Sequence, residues 1–148
     1  MTSRLAVALI TCALVSACSS RDAAPLSVSS IVVPEPLPGT SMTAGYLTIE
    51  NNSNQPIAIE KVTSPQFARV EMHQTILDDD VARMVPLAPL IVDRRSSIRF
   101  EPGGKHLMMS DWPQDIAAGL PVTIEFHYDG SGLLIVATTV SPRDELPD

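Results

Sequence analysis

Residues 122–140 read VTIEFHYDGSGLLIVATTV, two segments rich in β-branched residues with a short polar segment between them. In residues 122–128 apolar side chains alternate with polar ones, and this period of two is typical of a strand with one face in a core. Residues 129–132 have the composition of a tight turn between antiparallel strands. The predicted core face consists of Val122, Ile124, Phe126 and Tyr128. His127 falls on the opposite face and is predicted to face solvent.

The same pattern recurs along the chain from residue 27 onward, and clusters of turn residues separate the apolar runs. Nine strands are predicted, at 27–33, 43–50, 57–62, 68–76, 81–85, 97–100, 105–110, 122–128 and 133–140. A short helical turn is predicted at 111–118, where Trp112-Pro113 would open it and Gly119 would close it. The sequence therefore predicts an all-β fold, a single sandwich of about eight to nine antiparallel strands.

The composition limits the possible classes of function. The chain of 148 residues carries 17 acidic and 10 basic side chains, and its formal net charge is -7. An acidic protein repels the phosphate backbone, so no nucleic acid partner is expected. Because 45% of the residues are hydrophobic, the chain can form a real core, and a disordered protein is not expected.

The first residues have the pattern of an export signal. Arg4 supplies a positive charge, and residues 5–15 form an apolar stretch that is too short to span a bilayer. Residues 14–18 read LVSAC, which resembles the lipobox of bacterial lipoproteins, in which the cysteine is lipidated after cleavage. We therefore predict a lipoprotein signal peptide at residues 1–17 and lipidation at Cys18. An ordinary signal peptide without lipidation is the alternative.

The rest of the chain divides into three predicted parts. Residues 18–26 form a small polar tether after the lipidated cysteine, residues 27–140 form the folded domain, and residues 141–148 form an acidic tail. The expected location is the periplasm, with a lipid anchor in the bacterial envelope. Ser19, directly after the cysteine, favours the outer membrane.

Two of the three histidines lie near methionines in the sequence. If residues 78–79 are a two-residue hairpin loop, His73 and Met84 lie directly opposite each other, with Cβ atoms about 5 Å apart. His106 and Met108 are two residues apart on a predicted strand, so their side chains share a face. We expect the two pairs to meet at one end of the sandwich.

Two imidazoles and two thioethers form a soft donor set, which suits copper(I) better than zinc, calcium or magnesium. Cys12 and Cys18 both precede the folded domain, so no thiolate is available within it. Taken singly, a methionine is commonly a core filler and a histidine on a strand is commonly exposed. The joint spacing favours a metal site over these simpler interpretations.

The joint spacing is His73, ten residues, Met84, twenty-one residues, His106, one residue and Met108. It resembles the signature of the PCu(A)C family of periplasmic copper chaperones at all four positions. The resemblance extends to residues 43–51, 71–73 and 102–106, and it covers residues 27–140 as a copper-binding domain.

The resemblance implies a cupredoxin-like β-sandwich that binds copper, with copper(I) preferred, and delivers it to a cuproprotein. The implied recipient is the copper A centre in subunit II of cytochrome c oxidase, or a thiol-based assembly factor. The implied metal ligands are His73, Met84, His106 and Met108. Any contribution of Met109 or Trp112 is left open, and no histidine- and methionine-rich tail for a second copper site is present.

Several other functions compete with this interpretation. A blue-copper electron carrier needs a cysteine thiolate, which the domain lacks. The sequence contains no nucleophile elbow and no zincin motif, so no enzyme is expected. Copper buffering for tolerance, without a dedicated recipient, cannot be separated from delivery by sequence. A metal-free structural lipoprotein of the envelope would require the histidine and methionine spacing to be accidental.

Overall fold

A computed structural model describes residues 24–112 and 116–146, and the described residues contain ten β-strands and no helix. The strands are β1 (Leu26–Pro34), β2 (Met42–Asn51), β3 (Ile57–Thr63), β4 (Arg69–Asp78), β5 (Val81–Pro86), β6 (Leu90–Val92), β7 (Ser97–Phe100), β8 (Lys105–Ser110), β9 (Pro121–Tyr128) and β10 (Gly132–Ser141). No described residue belongs to a helix that could span a bilayer.

All nine predicted strands are present, and each differs from its predicted bounds by no more than two residues. β6 was not predicted, because three residues are too few to show a period. In the predicted helical turn, residues 113–115 lie outside the described residues. Its described remainder contains no helix, although Gly119 does close a turn there with a φ of 86°.

The strands form one curled sheet in the order β5-β4-β8-β2-β1-β10-β9-β3-β6, and β7 also pairs with β2. The first part of β2 pairs with β8, and its second part pairs with β7. The sheet curls so that the strands on the β4–β8 side face the strands on the β9–β10 side across one hydrophobic core. Most pairs are antiparallel as predicted, but β1 and β10 run parallel. The β1–β10 pair joins the two halves into one sandwich.

A single hydrophobic core fills the space between the two halves. Leu107 and Met109 of β8 enter it from one half, and Ile124 and Phe126 of β9 enter it from the other half; all four are completely buried. Gly45 of β2 allows the close approach of β8, since an added Cβ would lie 3.2 Å from the Cβ of Leu107. The predicted alternation of residues 122–128 is therefore confirmed.

His127 lies on the outer face of β9, as predicted. Its Nε2 is 2.8 Å from the Oγ1 of Thr63, which also donates a hydrogen bond of 2.8 Å to Glu125. His127 is thus partly buried in a polar cluster. Its strand, β9, belongs to one half of the sandwich, and His73 and His106 belong to the other half.

The register of the β4–β5 hairpin differs from the predicted one. The two loop residues are Asp79 and Asp80, with φ angles of 49° and 62°, so Met84 pairs with Thr75 and His73 pairs with Pro86. The prediction that His73 and Met84 lie directly opposite each other is therefore wrong. A type I′ loop needs positive φ at both positions, which aspartate tolerates. The observed loop agrees with the predicted start of β5 at residue 81, whereas a loop at residues 78–79 would add Asp80 to that strand.

The change of register in the β4–β5 hairpin leaves His73 and Met84 on the same face of the sheet, as predicted. Moving the loop by one residue changes the pairing by two residues, and the side-chain period of a strand is also two. Within this shared face, His73 and Met84 are diagonal neighbours and not a directly opposed pair.

The alternation of buried and exposed side chains predicts that truncating Met109 and truncating Met84 have different effects on the free energy of unfolding. We expect Met109→Ala to lower the free energy of unfolding by about 2–5 kcal/mol, because it leaves a cavity in the core. Met84→Ala should cost less than about 0.5 kcal/mol, because the side chain is 56% exposed. Urea denaturation of the copper-free chain measures both values, and equal losses would contradict the assigned faces.

Candidate metal centre

Two histidines lie directly opposite each other on neighbouring strands. β4 and β8 are antiparallel, and their register pairs His73 with His106. The two ring centroids are 6.1 Å apart, and the ring planes are inclined by 79°. Both side chains are largely removed from solvent, with 13% of the His73 side chain and 6% of His106 exposed. The predicted meeting of the two ligand-bearing segments is thus a direct cross-strand contact.

Each of these rings has one buried nitrogen without a hydrogen-bond partner. These nitrogens are Nδ1 of His73 and Nε2 of His106, and no described residue bonds to either of them. A buried polar atom without a partner costs free energy, and native proteins contain few of them. An imidazole nitrogen that is buried and unpaired has a lone pair available for a metal ion.

The other nitrogen of His106 is held by the backbone. Its Nδ1 lies 3.2 Å from the carbonyl oxygen of Gly104, and this oxygen also accepts a hydrogen bond of 3.1 Å from the amide of Thr75. The Gly104 carbonyl belongs to the tight β7–β8 turn, where Gly103 has a φ of 74°. The turn therefore fixes the orientation of the ring and favours the tautomer with a free Nε2.

The other nitrogen of His73 faces a carboxylate. Its Nε2 is 3.7 Å from Oε2 of Glu71, the residue two positions earlier on the same face of β4. This separation is too long for a hydrogen bond, but it puts negative charge beside the ring. Such charge stabilises a cation on the far nitrogen, which is Nδ1.

The two predicted thioethers lie on the same face as the histidines. Met108 follows His106 by two residues, and it pairs with Glu71 of β4 and Ala44 of β2. Met84 is diagonal to His73 across the β4–β5 pair. A cleft of about 520 Å³ is lined by Met84, His106 and Met108, together with residues of β2, of the segment between β1 and β2 and of the C-terminal segment. His73 does not line this cleft. The four predicted ligands thus share one face over three adjacent strands.

Of the three other methionines in the described ranges, two lie in the core and one lines the cleft. Met72 and Met109 point into the core, where they are 3% and 0% exposed. Met109, left open by the sequence, therefore lies on the face away from the cleft. Met42 lines the cleft, and sequence analysis missed it because its strand partner lies far along the chain.

Two aromatic residues lie near this part of the fold. Trp112 packs edge to face against Phe67, with a centroid distance of 4.7 Å, which is a packing role. Tyr46 lines the cleft, and burial raises the pKa of its phenol. The Tyr46 side chain therefore stays protonated at neutral pH and offers an O–H group to the cleft.

The donor types limit the chemistry of the site. Within the described ranges, no three side chains of histidine, cysteine, aspartate or glutamate come together as a metal cluster. A carboxylate cluster of the kind that binds calcium and a histidine- or cysteine-rich zinc shell are therefore not found in these ranges. Two neutral imidazoles with two neutral thioethers match a soft, singly charged ion such as copper(I).

Comparison with known proteins identifies relatives in sequence. The LpqE-like lipoprotein family model matches residues 26–140. An uncharacterized protein of Rickettsia prowazekii, RP573, is 31% identical over 102 residues, which are 68% of this chain and 56% of that protein. The chain thus spans about half the length of this curated relative.

Comparison with solved structures identifies the same fold. The solution structure of copper(I)-DR1885 from Deinococcus radiodurans is 25% identical, covers 83% of each chain and has a TM-score of 0.63. The apo PCuAC domain of PmoF2 is 17% identical, with a TM-score of 0.67, and the match covers 84% of this chain and 96% of that domain. The resemblance to PCuAC domains found in the sequence is therefore confirmed for the fold.

The hydrogen bond between His106 and the Gly104 carbonyl predicts which of the two ring nitrogens carries the proton in the neutral form. We expect the proton on Nδ1 and a bare Nε2, because the carbonyl oxygen can only accept. Long-range proton–nitrogen correlation spectra of the copper-free chain, recorded in mildly alkaline buffer, distinguish the two tautomers. A proton on Nε2 would contradict this assignment of the free nitrogen.

Proposed function

This chain belongs to the LpqE-like lipoprotein family, and we propose that it is a copper(I) chaperone of the bacterial envelope. It holds one copper(I) ion between two histidines and two methionines, and it gives the ion to a recipient protein. The proposed ligands are His73, Met84, His106 and Met108.

The observation that carries this proposal is the pair of buried, unpaired imidazole nitrogens beside two thioethers. Nδ1 of His73 and Nε2 of His106 lack partners in the described structure. A copper(I) ion bound to both nitrogens would supply the missing interactions. A metal-free structural lipoprotein offers no reason for two such atoms on one face.

The strands supply ligands of unequal mobility. His73 and His106 are buried on the inner strands β4 and β8, whereas Met84 is 56% exposed on β5, at the edge of the sheet. Thioether side chains are flexible and uncharged. Copper can therefore stay on the rigid histidine pair while a methionine leaves and a ligand of the recipient enters.

Solved relatives support copper as the cargo. DR1885 has been solved as a copper(I) form, and it shares 25% identity and the fold with this chain. The described domain also matches the PCuAC domains of PmoF proteins in fold. We extend the copper of DR1885 to this chain because the cleft residues provide the matching soft donors.

The recipient we propose is a cuproprotein with thiolate ligands. The resemblance to PCu(A)C chaperones favours the copper A centre of cytochrome c oxidase subunit II, or a thiol-based assembly factor that precedes it. Thiolates are charged, soft donors, so they bind copper(I) more strongly than neutral thioethers do. Transfer from this site to a thiolate site is therefore downhill in free energy.

Copper(I) binding tests the proposed site directly. Residues 19–148 titrated anaerobically against a chromophoric chelator should bind one tight equivalent of copper(I). Because both histidines are proposed ligands, His73→Ala should weaken binding by at least about 100-fold, and Met108→Leu by about tenfold.

A matched variant controls for nonspecific binding. His127→Ala removes the remaining histidine, which bonds to Thr63 on another strand pair, and it should leave the affinity unchanged. Equal losses in His73→Ala and His127→Ala, or no binding in competition with the chelator, would refute the proposed site.

We also propose that the chain is anchored by a lipid on Cys18. The support is the lipobox-like sequence at residues 14–18, together with membership of a lipoprotein family. Cys18 lies outside the described residues, and β1 begins at Leu26. A tether over residues 18–26 spans at most about 30 Å when extended, so the domain works close to the membrane surface.

Lipidation predicts the location of the full chain in a bacterial host. We expect the wild-type protein in the membrane fraction and labelled by a radioactive fatty acid. Cys18→Ser should be unlabelled and released to the soluble envelope fraction, because the acyl chains provide most of the membrane affinity. A wild-type chain without label would favour an ordinary signal peptide.

A further inference from the structure

We propose that Met42 is a further copper(I) ligand, which binds the ion at the mouth of the cleft as it leaves the four-residue site. This inference rests on the proposed function and adds a residue to it. Met42 lies outside the sequence signature that identified the other ligands.

The register of β2 and β8 puts Met42 on the ligand face. Ala44 pairs with Met108, and Met42 pairs with Ser110. Met42 and Met108 are therefore diagonal neighbours on one face, with backbones about 7–8 Å apart and side chains long enough to meet. Met84 has the same diagonal relation to His73, so the ligand face has a methionine on each side of the histidine pair.

The surroundings leave the Met42 side chain free while they fix its backbone. The hydroxyl of Thr43 donates to the carbonyl of Pro34, and the amide of Asp111 donates to the carbonyl of Ser41 at 3.1 Å. The Met42 side chain itself is 49% exposed. Ala44, opposite Met108, has only a methyl group, so no large side chain stands between the two thioethers.

Met42 and Met84 lie on opposite sides of the same cleft. Three strand spacings separate β2 from β5, which is roughly 14 Å, so one ion cannot bind to both sulfur atoms at once. Met42 therefore exchanges with its diagonal neighbour Met108, on the side of β2. The exchange is a neutral ligand substitution, in which the Met42 thioether replaces that of Met108 and copper remains copper(I).

Met42 could otherwise be a purely apolar residue of the cleft wall, like Leu37 and Leu146, which also line the cleft. Leucine keeps the bulk of methionine and lacks the sulfur atom, so Met42→Leu separates the two roles. If only bulk matters at this position, the substitution changes nothing in copper binding.

Methyl spectra of methionine report on each sulfur separately. Residues 19–148 contain every described strand and five methionines, and they would be labelled at the methionine methyl groups and titrated anaerobically with copper(I). We expect the Met84, Met108 and Met42 signals to shift within the first equivalent. The core signals of Met72 and Met109 serve as internal controls.

Variants test whether Met42 replaces Met108. In Met108→Leu, the shift of the Met42 methyl signal should increase towards that of Met84. Met42→Leu should weaken copper(I) binding by about threefold in the wild type and by about tenfold in the Met108→Leu background. A larger effect of Met42→Leu in the Met108→Leu background than in the wild type is what a substitute ligand would produce.

The outcomes separate this inference from the proposed function. If the Met84 signal shifts and the Met42 signal stays fixed in both wild type and Met108→Leu, the inference fails and the four-ligand site stands. If no methionine signal shifts and no copper(I) is bound, the proposed function fails and this inference fails with it.

Discussion

The antiparallel pairing of β4 with β8 brings His73 and His106 face to face, and every other feature of the site depends on this register. The same pairing allows the Gly104 carbonyl to accept bonds from both the Thr75 amide and the His106 ring. A slip of one residue between these strands would turn one histidine into the core and expose a core side chain. The hydrophobic core therefore stabilises the register, and the register positions the two buried nitrogens.

The period of two along each strand divides the methionines into two groups with different roles. Met72 and Met109 fill the core, where flexible thioethers pack well between Leu107 and the other half of the sandwich. Met84 and Met108 follow the opposite parity and reach the cleft. One residue type thus packs the core on one face and supplies the proposed metal ligands on the other, and only the parity of its position decides which.

Most of the fold could be predicted from the sequence because strand alternation is a local signal. The β4–β5 register could not, since Asp78, Asp79 and Asp80 offer two equally plausible loops and the choice depends on pairing beyond the hairpin. Sequence reasoning also missed β6 and Met42. The proximity of Met42 to Met108 depends on β2 and β8, which are separated by more than fifty residues of chain, and no local pattern reports such a contact. The four proposed ligands were selected because their spacing matches a known signature.

The unequal exposure of the methionines has a consequence for oxidative stress in the envelope. Oxidants that convert thioethers to sulfoxides react with accessible sulfur first, and Met42 and Met84 are about half exposed whereas Met72 and Met109 are buried. Damage would therefore begin at the cleft and leave the interior of the sandwich intact. An oxidised chain would keep its fold but lose the thioethers proposed as copper ligands, and reduction of the sulfoxides by a reductase would restore them without refolding.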